Sequence, residues 1–90
     1  MNYQNKVVVV TGGTKGIGEG CVRVFFEAGA KVVFCARRQQ EGDALAHELN
    51  SSEKGEAYFV KCDVSKPDKL QNLISQAIER FGQIDCLINK

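Results

Sequence analysis

The 90-residue sequence predicts an α/β chain with one parallel sheet covered on both faces. Three observations predict it: short apolar runs rich in β-branched residues, intervening stretches long enough for helical crossovers, and a glycine-rich turn between the first run and the first helix. The runs are continuously apolar rather than alternating, which marks strands buried from both sides.

The first strand is Val7 to Val10, preceded by Lys6. Gly16 to Ala28 predicts the first helix, because Ile17, Cys21, Phe25 and Ala28 recur every three to four residues and Gly29 supplies a C-terminal cap. Lys31 to Cys35 is the second strand. Glu41 to Leu49 predicts a weaker helix, with Leu45 and Leu49 one turn apart beside Ala44 and Ala46, fading into Asn50-Ser51-Ser52. Ala57 to Cys62 is the third strand. The third helix opens on Ser65-Lys66-Pro67-Asp68, read as a capping box with Pro in the first turn. It continues through Leu70, Leu73, Ile74, Ala77, Ile78 and Phe81 and ends at Gly82. Ile84 to Ile88 completes the set as the fourth strand. Right-handed crossovers and double winding give the strand order 3-2-1-4, with the third helix on the opposite face from the first two. The switch point falls between strands 1 and 4, where the glycine turn leaves the sheet.

A chain of this length makes at most one small domain, spanning residues 1–90, and buries only about 60% of the surface its unfolded form exposes. A net charge of +1 and a pI near 7.6 leave no basic stripe for nucleic acid. No apolar run approaches the length of about 20 residues that crosses a bilayer. Residues 1–6 contain no signal-peptide pattern, which makes the cytoplasm the expected location. Cys21, Cys35, Cys62 and Cys86 are single, each inside an apolar stretch, and read as core residues in a reducing compartment. With His47 the sole imidazole, no metal site is expected. His47 and Asp43 fall on the second helix, away from the ligand edge, and read as solvated.

The chemistry concentrates in Thr11-Gly12-Gly13-Thr14-Lys15-Gly16-Ile17-Gly18. A loop that grips pyrophosphate needs glycines where the chain turns sharply and approaches phosphate oxygens, followed by a helix offering free N–H groups. A P-loop is excluded because Gly18 is followed by Glu19, not by the lysine that reaches β- and γ-phosphates. The Gly-x-Gly-x-x-Gly fingerprint is not met either. The spacing present is Thr-Gly-x-x-x-Gly-x-Gly.

On Thr11, Gly12, Gly16 and Gly18 the chain resembles the short-chain dehydrogenase/reductase family, and the resemblance covers its whole length. Cys62-Asp63-Val64 resembles the family's adenine-binding Asp-Val, and Ile84-Asp85-Cys86-Leu87-Ile88-Asn89 resembles the strand leading into its Asn-Asn-Ala-Gly loop. The resemblance implies the N-terminal half of a doubly wound Rossmann-type sheet. It also implies dinucleotide contacts from Thr11, Gly12, Thr14, Lys15, Gly16, Ile17, Gly18, Asp63, Val64 and Asn89. At full length it implies hydride transfer between NAD(P)(H) and a secondary alcohol or ketone, with a hydroxysteroid as the substrate class and a homo-oligomer as the assembly.

The residues after the second strand bear on the cofactor. An Asp or Glu about 20 residues past the glycine motif normally accepts from the ribose 2′-hydroxyl of NAD. Here the place is held by Ala36-Arg37-Arg38. Taken alone, a basic pair is a solvated surface. At this position Arg37 or Arg38 can hold a 2′-phosphate by charge-assisted hydrogen bonds, and Lys15 adds a cation as in NADP-preferring family members. The expectation is NADP(H) over NAD(H), with NAD(H) left open.

Hydride transfer to a carbonyl also needs a proton donor and a group that orients the substrate oxygen. The family supplies these with a Ser and a Tyr-x-x-x-Lys motif, and the 90 residues contain no such motif. Tyr3 and Tyr58 lack a lysine four residues on, and Lys90 stands where a second Asn is expected. The expectation is a fragment or splice variant of an oxidoreductase, without catalytic residues of its own. The alternative is a non-catalytic nucleotide-binding or dimerising module. A receiver-like signalling domain fits less well, since no acidic cluster follows the first strand.

Overall fold

The computed structural model describes residues 3–12, 16–63 and 65–88. Within them the chain runs β1 (Val7–Val10), α1 (Gly16–Glu27), β2 (Lys31–Ala36), α2 (Gln39–Asn50), β3 (Glu56–Lys61), α3 (Pro67–Phe81) and β4 (Cys86–Ile88). The four strands form one parallel sheet in the order β3-β2-β1-β4, as the crossover argument requires. Val8 pairs with Val32 on one side and Cys86 on the other, which puts β1 at the centre of the sheet.

Two apolar layers sandwich the sheet. Val8, Val10, Val32, Phe34 and Ala57 point to the side covered by Val22 and Phe26 of α1 and Leu45 and Leu49 of α2. Val9, Val33, Cys35, Val60 and Cys62 point to the other side, under Leu73 and Ala77 of α3. The alternation of side-chain direction along each strand divides one apolar run between two cores. The four valines of β1 are all buried because both faces are covered.

The buried face of α1 is Gly18, Val22 and Phe26, one position on from the expected Ile17, Cys21 and Phe25. Both sets satisfy a helical period, and the contact with β1 and β2 selects between them. Cys21 and Phe25 flank the core half-buried, while Ile17 stands 72% exposed. The helix termini of α3 also differ from expectation. Its N-cap is Lys66, in an extended conformation and without a side-chain cap, because Pro67 occupies the first turn. The Ser65 hydroxyl and amide instead donate to Asp63 Oδ1, at 2.7 and 3.0 Å. The far end is as expected, with the Gly82 N–H donating to Ile78 O.

The strand and helix limits shift in ways that side-chain hydrogen bonds explain. The second helix runs to Asn50, whose carboxamide accepts from Ala57 N–H at 2.9 Å and donates to Ala57 O at 2.8 Å. That pairing satisfies part of the outer edge of β3, which has β2 as its one strand neighbour. Ile84 stands outside the short fourth strand and packs on the α3-side core. Asp85 ties the entry of β4 to β1. Its N–H donates to Val7 O at 2.8 Å, and Val7 N–H donates to its carboxylate at 2.8 Å.

Candidate cofactor site

The glycine turn leaves β1 at the point where the sheet order reverses between β1 and β4, at the carboxyl ends of the strands. Thr11 is fully buried there, with its N–H donating to Ile88 O at 2.9 Å and its hydroxyl approaching the same carbonyl at 3.4 Å. That contact joins the end of β1 to β4. Gly12 and Gly16 take positive φ, 68° and 54°, conformations that a side chain resists. A Cβ built on Gly16 meets nothing within 4 Å among the described residues. Gly18 is the one residue of the helix's first turn that is buried, against the sheet. Gly13, Thr14 and Lys15 lie outside the described residues, as do Val64 and Asn89.

The first turn of an α-helix offers backbone N–H groups without intrahelical partners and the positive end of the helix dipole, an arrangement that suits a pyrophosphate. Ile17 extends from that turn into solvent and offers an apolar surface beside it.

A groove of about 370 Å³ opens at the carboxyl ends of β2 and β3, lined by Arg37, Lys61, Cys62, Asp63, Lys69 and Asn72. The Ser65 hydroxyl and amide hold the Asp63 carboxyl below the usual carboxylate range, with Arg37 and Lys66 adding to the effect. Both Ser65 bonds fall on Oδ1, and Oδ2 accepts no hydrogen bond from the described residues. An ionised carboxylate with one oxygen fixed and the other free is suited to accept from an exocyclic amine. The groove therefore brings Arg37 and Asp63 together. Arg38 stands apart as the N-cap of α2, 75% exposed, with Nη1 3.5 Å from Glu41 Oε2.

Lys61, Lys69 and Asn72 were not expected in the site. Lys61 is the last residue of β3, and a strand's carboxyl end is where ligands of such sheets bind, so its position was a usable signal. Lys69 and Asn72 reach the groove through the packing of α3, which has no counterpart in a local motif. Cys62 lines the groove floor, its thiol pushed up to about 12 chiefly by burial, with Cys35 beside it contributing. All four cysteines are free; Cys35 and Cys62 are buried as expected, while Cys21 and Cys86 are half-buried. Tyr3 packs edge-on against Phe25, and Tyr58 lies under the guanidinium of Arg80 at 4.4 Å. No helix among the described residues is long and apolar enough to cross a membrane.

Comparison with known proteins gives a consistent result. A family model described as short chain dehydrogenase matches residues 6–90. An L-fucose dehydrogenase of Bos taurus is 44% identical over 87 residues, which are 97% of this chain and 30% of that protein. An alcohol dehydrogenase of Thermococcus sibiricus, solved with 5-hydroxy-NADP, superposes with a TM-score of 0.85 at 33% identity, covering 91% of this chain and 35% of that one. L-Sorbose reductase of Gluconobacter frateurii, solved with NADPH and L-sorbose, superposes with a TM-score of 0.93 at 29% identity, covering 100% and 34%. The chain spans about a third of the length of the relatives it matches.

Proposed function

Given that this chain belongs to the short-chain dehydrogenase family, we propose that it is the dinucleotide-binding part of an oxidoreductase acting on a secondary alcohol or ketone. The observation that carries the reading is that Gly12, Gly16 and Gly18 lie along the same edge of the sheet as the Arg37–Asp63 groove. The first turn of α1, with Gly12, Gly16 and Gly18, receives the pyrophosphate. Ile17 covers one side of it. Asp63 Oδ2 accepts from the adenine amino group, and Arg37 and Arg38 donate to a 2′-phosphate. Thr11 acts by holding the end of β1 to β4. Thr14, Lys15, Val64 and Asn89 are assigned to the same cofactor on the family motif. The bound dinucleotide supplies or takes up the hydride.

NADP(H) is the proposed cofactor over NAD(H). The cations Arg37, Lys61 and Lys69 outnumber Asp63 in the groove, and the strand-end carboxylate that would repel a 2′-phosphate is replaced by Ala36. Two structural relatives solved with NADP-type cofactors support this choice. For the substrate, residues 6–18 and 80–89 resemble 17β-hydroxysteroid dehydrogenase type 14, which is the ground for proposing a hydroxysteroid. The relatives named for L-fucose and L-sorbose make a sugar the second candidate.

Titration of NADPH and NADH into the chain, with a parallel turnover assay, tests this reading. The expected result is tighter binding of NADPH, a shift toward NADH in Arg37→Asp, and no turnover by these 90 residues. An unchanged cofactor ratio in Arg37→Asp counts against the 2′-phosphate assignment.

A further inference from the structure

We propose that Glu41 sets the selectivity between NADP(H) and NAD(H) by holding Arg38 when no cofactor is bound. The inference rests on the assignment of Arg38 to the 2′-phosphate. Glu41 sits in the first turn of α2, one turn on from Arg38, with its Oε2 3.5 Å from Arg38 Nη1. Its carboxylate is better placed than the guanidinium it holds, since the Glu41 side chain is 35% exposed against 75% for Arg38.

Arg38 is the one cation paired with Glu41 among the described residues. Arg23 lines an α1–α2 groove together with Glu41 but is already engaged. Its Nε donates to Glu19 Oε2 at 2.8 Å and its Nη1 to Glu48 Oε2 at 2.7 Å. Three carboxylates, Glu19, Glu41 and Glu48, thus share this groove with Arg23. If Arg38 turns to a phosphate, Glu41 is left facing two like charges whose cation is taken. Gln39, in the same turn, donates its Nε2 to the Asp43 carboxylate at 2.9 Å.

Two effects follow, and both act on NADP(H) alone. Capture of Arg38 by a 2′-phosphate breaks the pair with Glu41, and a phosphate brought to Arg38 also comes near the Glu41 charge. A cofactor with a 2′-hydroxyl meets neither penalty. An exposed pair of this kind contributes modestly, which sets the expected effect at about three-fold in affinity rather than a complete switch. Glu41 is therefore a specificity-determining residue that moderates the preference created by the arginines.

The test is a double-mutant cycle on the full chain, with dissociation constants for NADPH and NADH measured on the unsubstituted protein, Glu41→Gln, Arg38→Ala and the double variant. Glu41→Gln keeps the shape and hydrogen-bonding reach of the side chain. The expected outcome is NADPH binding tighter by about three-fold in Glu41→Gln, NADH binding unchanged, and no gain from Glu41→Gln once Arg38 is alanine. If Arg38→Ala weakens NADPH but Glu41→Gln leaves the ratio unchanged, the inference is overturned and the arginine assignment stands. If Arg38→Ala does not affect NADPH, or the unsubstituted chain does not bind it, the assignment of Arg38 to the 2′-phosphate falls and the role of Glu41 falls with it.

Discussion

Replacing Gly42 with alanine should destabilise the fold although it improves helix propensity, and replacing Gly20 the same way should stabilise it. Both glycines are helical, Gly20 in α1 and Gly42 in α2. In a helix interior the exchange favours folding by about 1 kcal/mol. A Cβ on Gly20 meets nothing within 4 Å among the described residues, whereas one on Gly42 runs into Cε1, Cζ and Cδ1 of the Phe59 ring. The overlap is well inside ordinary carbon contact, so either the ring or α2 must give way. Phe59 is backed by Phe34, ring centroids 5.4 Å apart, and cannot retreat into the core. Overpacking of this kind costs about 1–3 kcal/mol, which leaves Gly42→Ala net destabilised by about 1 kcal/mol. For a domain of this size that is a fall in Tm of roughly 4–8 °C. Gly20→Ala should rise by a similar or smaller amount. Urea or thermal unfolding followed by circular dichroism reads both, and Phe59→Leu in the Gly42→Ala background should recover part of the loss. Equal shifts of the same sign in the two variants would refute the packing argument.

Three further outcomes follow from the site and its supports. Asp85, held below the usual carboxylate range by the Val7 N–H and by Gln83, contributes stability that is full above the unfolded carboxylate pKa of about 3.9 and lost as pH falls through the lower folded value. Asp85→Asn should accordingly flatten the acid limb of a urea-midpoint titration between pH 5 and the folded pKa. A limb of unchanged slope would remove Asp85 from the account. Asp63→Asn should weaken dinucleotide binding by about ten-fold while leaving the unfolding midpoint close to its original value, as read by fluorescence titration and urea denaturation. At pH 8 an alkylating reagent should label Cys21 and Cys86 before Cys35 and Cys62, with mass spectrometry locating the adducts, because Cys62 is buried and its thiol is pushed up to about 12.

The sheet order and the side of each helix were legible because β-branched runs, crossover lengths and handedness leave few arrangements. The glycine turn was legible for the same reason, since its spacing after a strand and before a helix has a physical meaning at each position. What escaped was decided by contacts between distant residues. The face of α1 could not be chosen from its period, because Ile17-Cys21-Phe25 and Gly18-Val22-Phe26 are both helical stripes, and only the docking on β1 separates them. Ser65 had the residue type and spacing of a cap, yet Asp63 two residues earlier offers it a closer acceptor, and Pro67 places the cap at Lys66. Asn50 looked like the decay of a helix and instead pairs with the backbone of Ala57. In the site, Arg37 and Arg38 were indistinguishable in the sequence. The structure separates them, with Arg37 in the groove beside Asp63 and Arg38 paired with Glu41.

The central claim is that the Arg37–Asp63 groove and the start of α1 form a site for the adenosine end of a 2′-phosphorylated dinucleotide. Its most direct test is the binding of adenosine 2′,5′-bisphosphate against 5′-AMP, two probes that differ by the 2′-phosphate and need nothing from the nicotinamide side. Calorimetry should find the bisphosphate tighter by about ten-fold, as expected for a charge-assisted contact, with the advantage reduced in Arg37→Ala. Equal affinity for the two probes would contradict the claim.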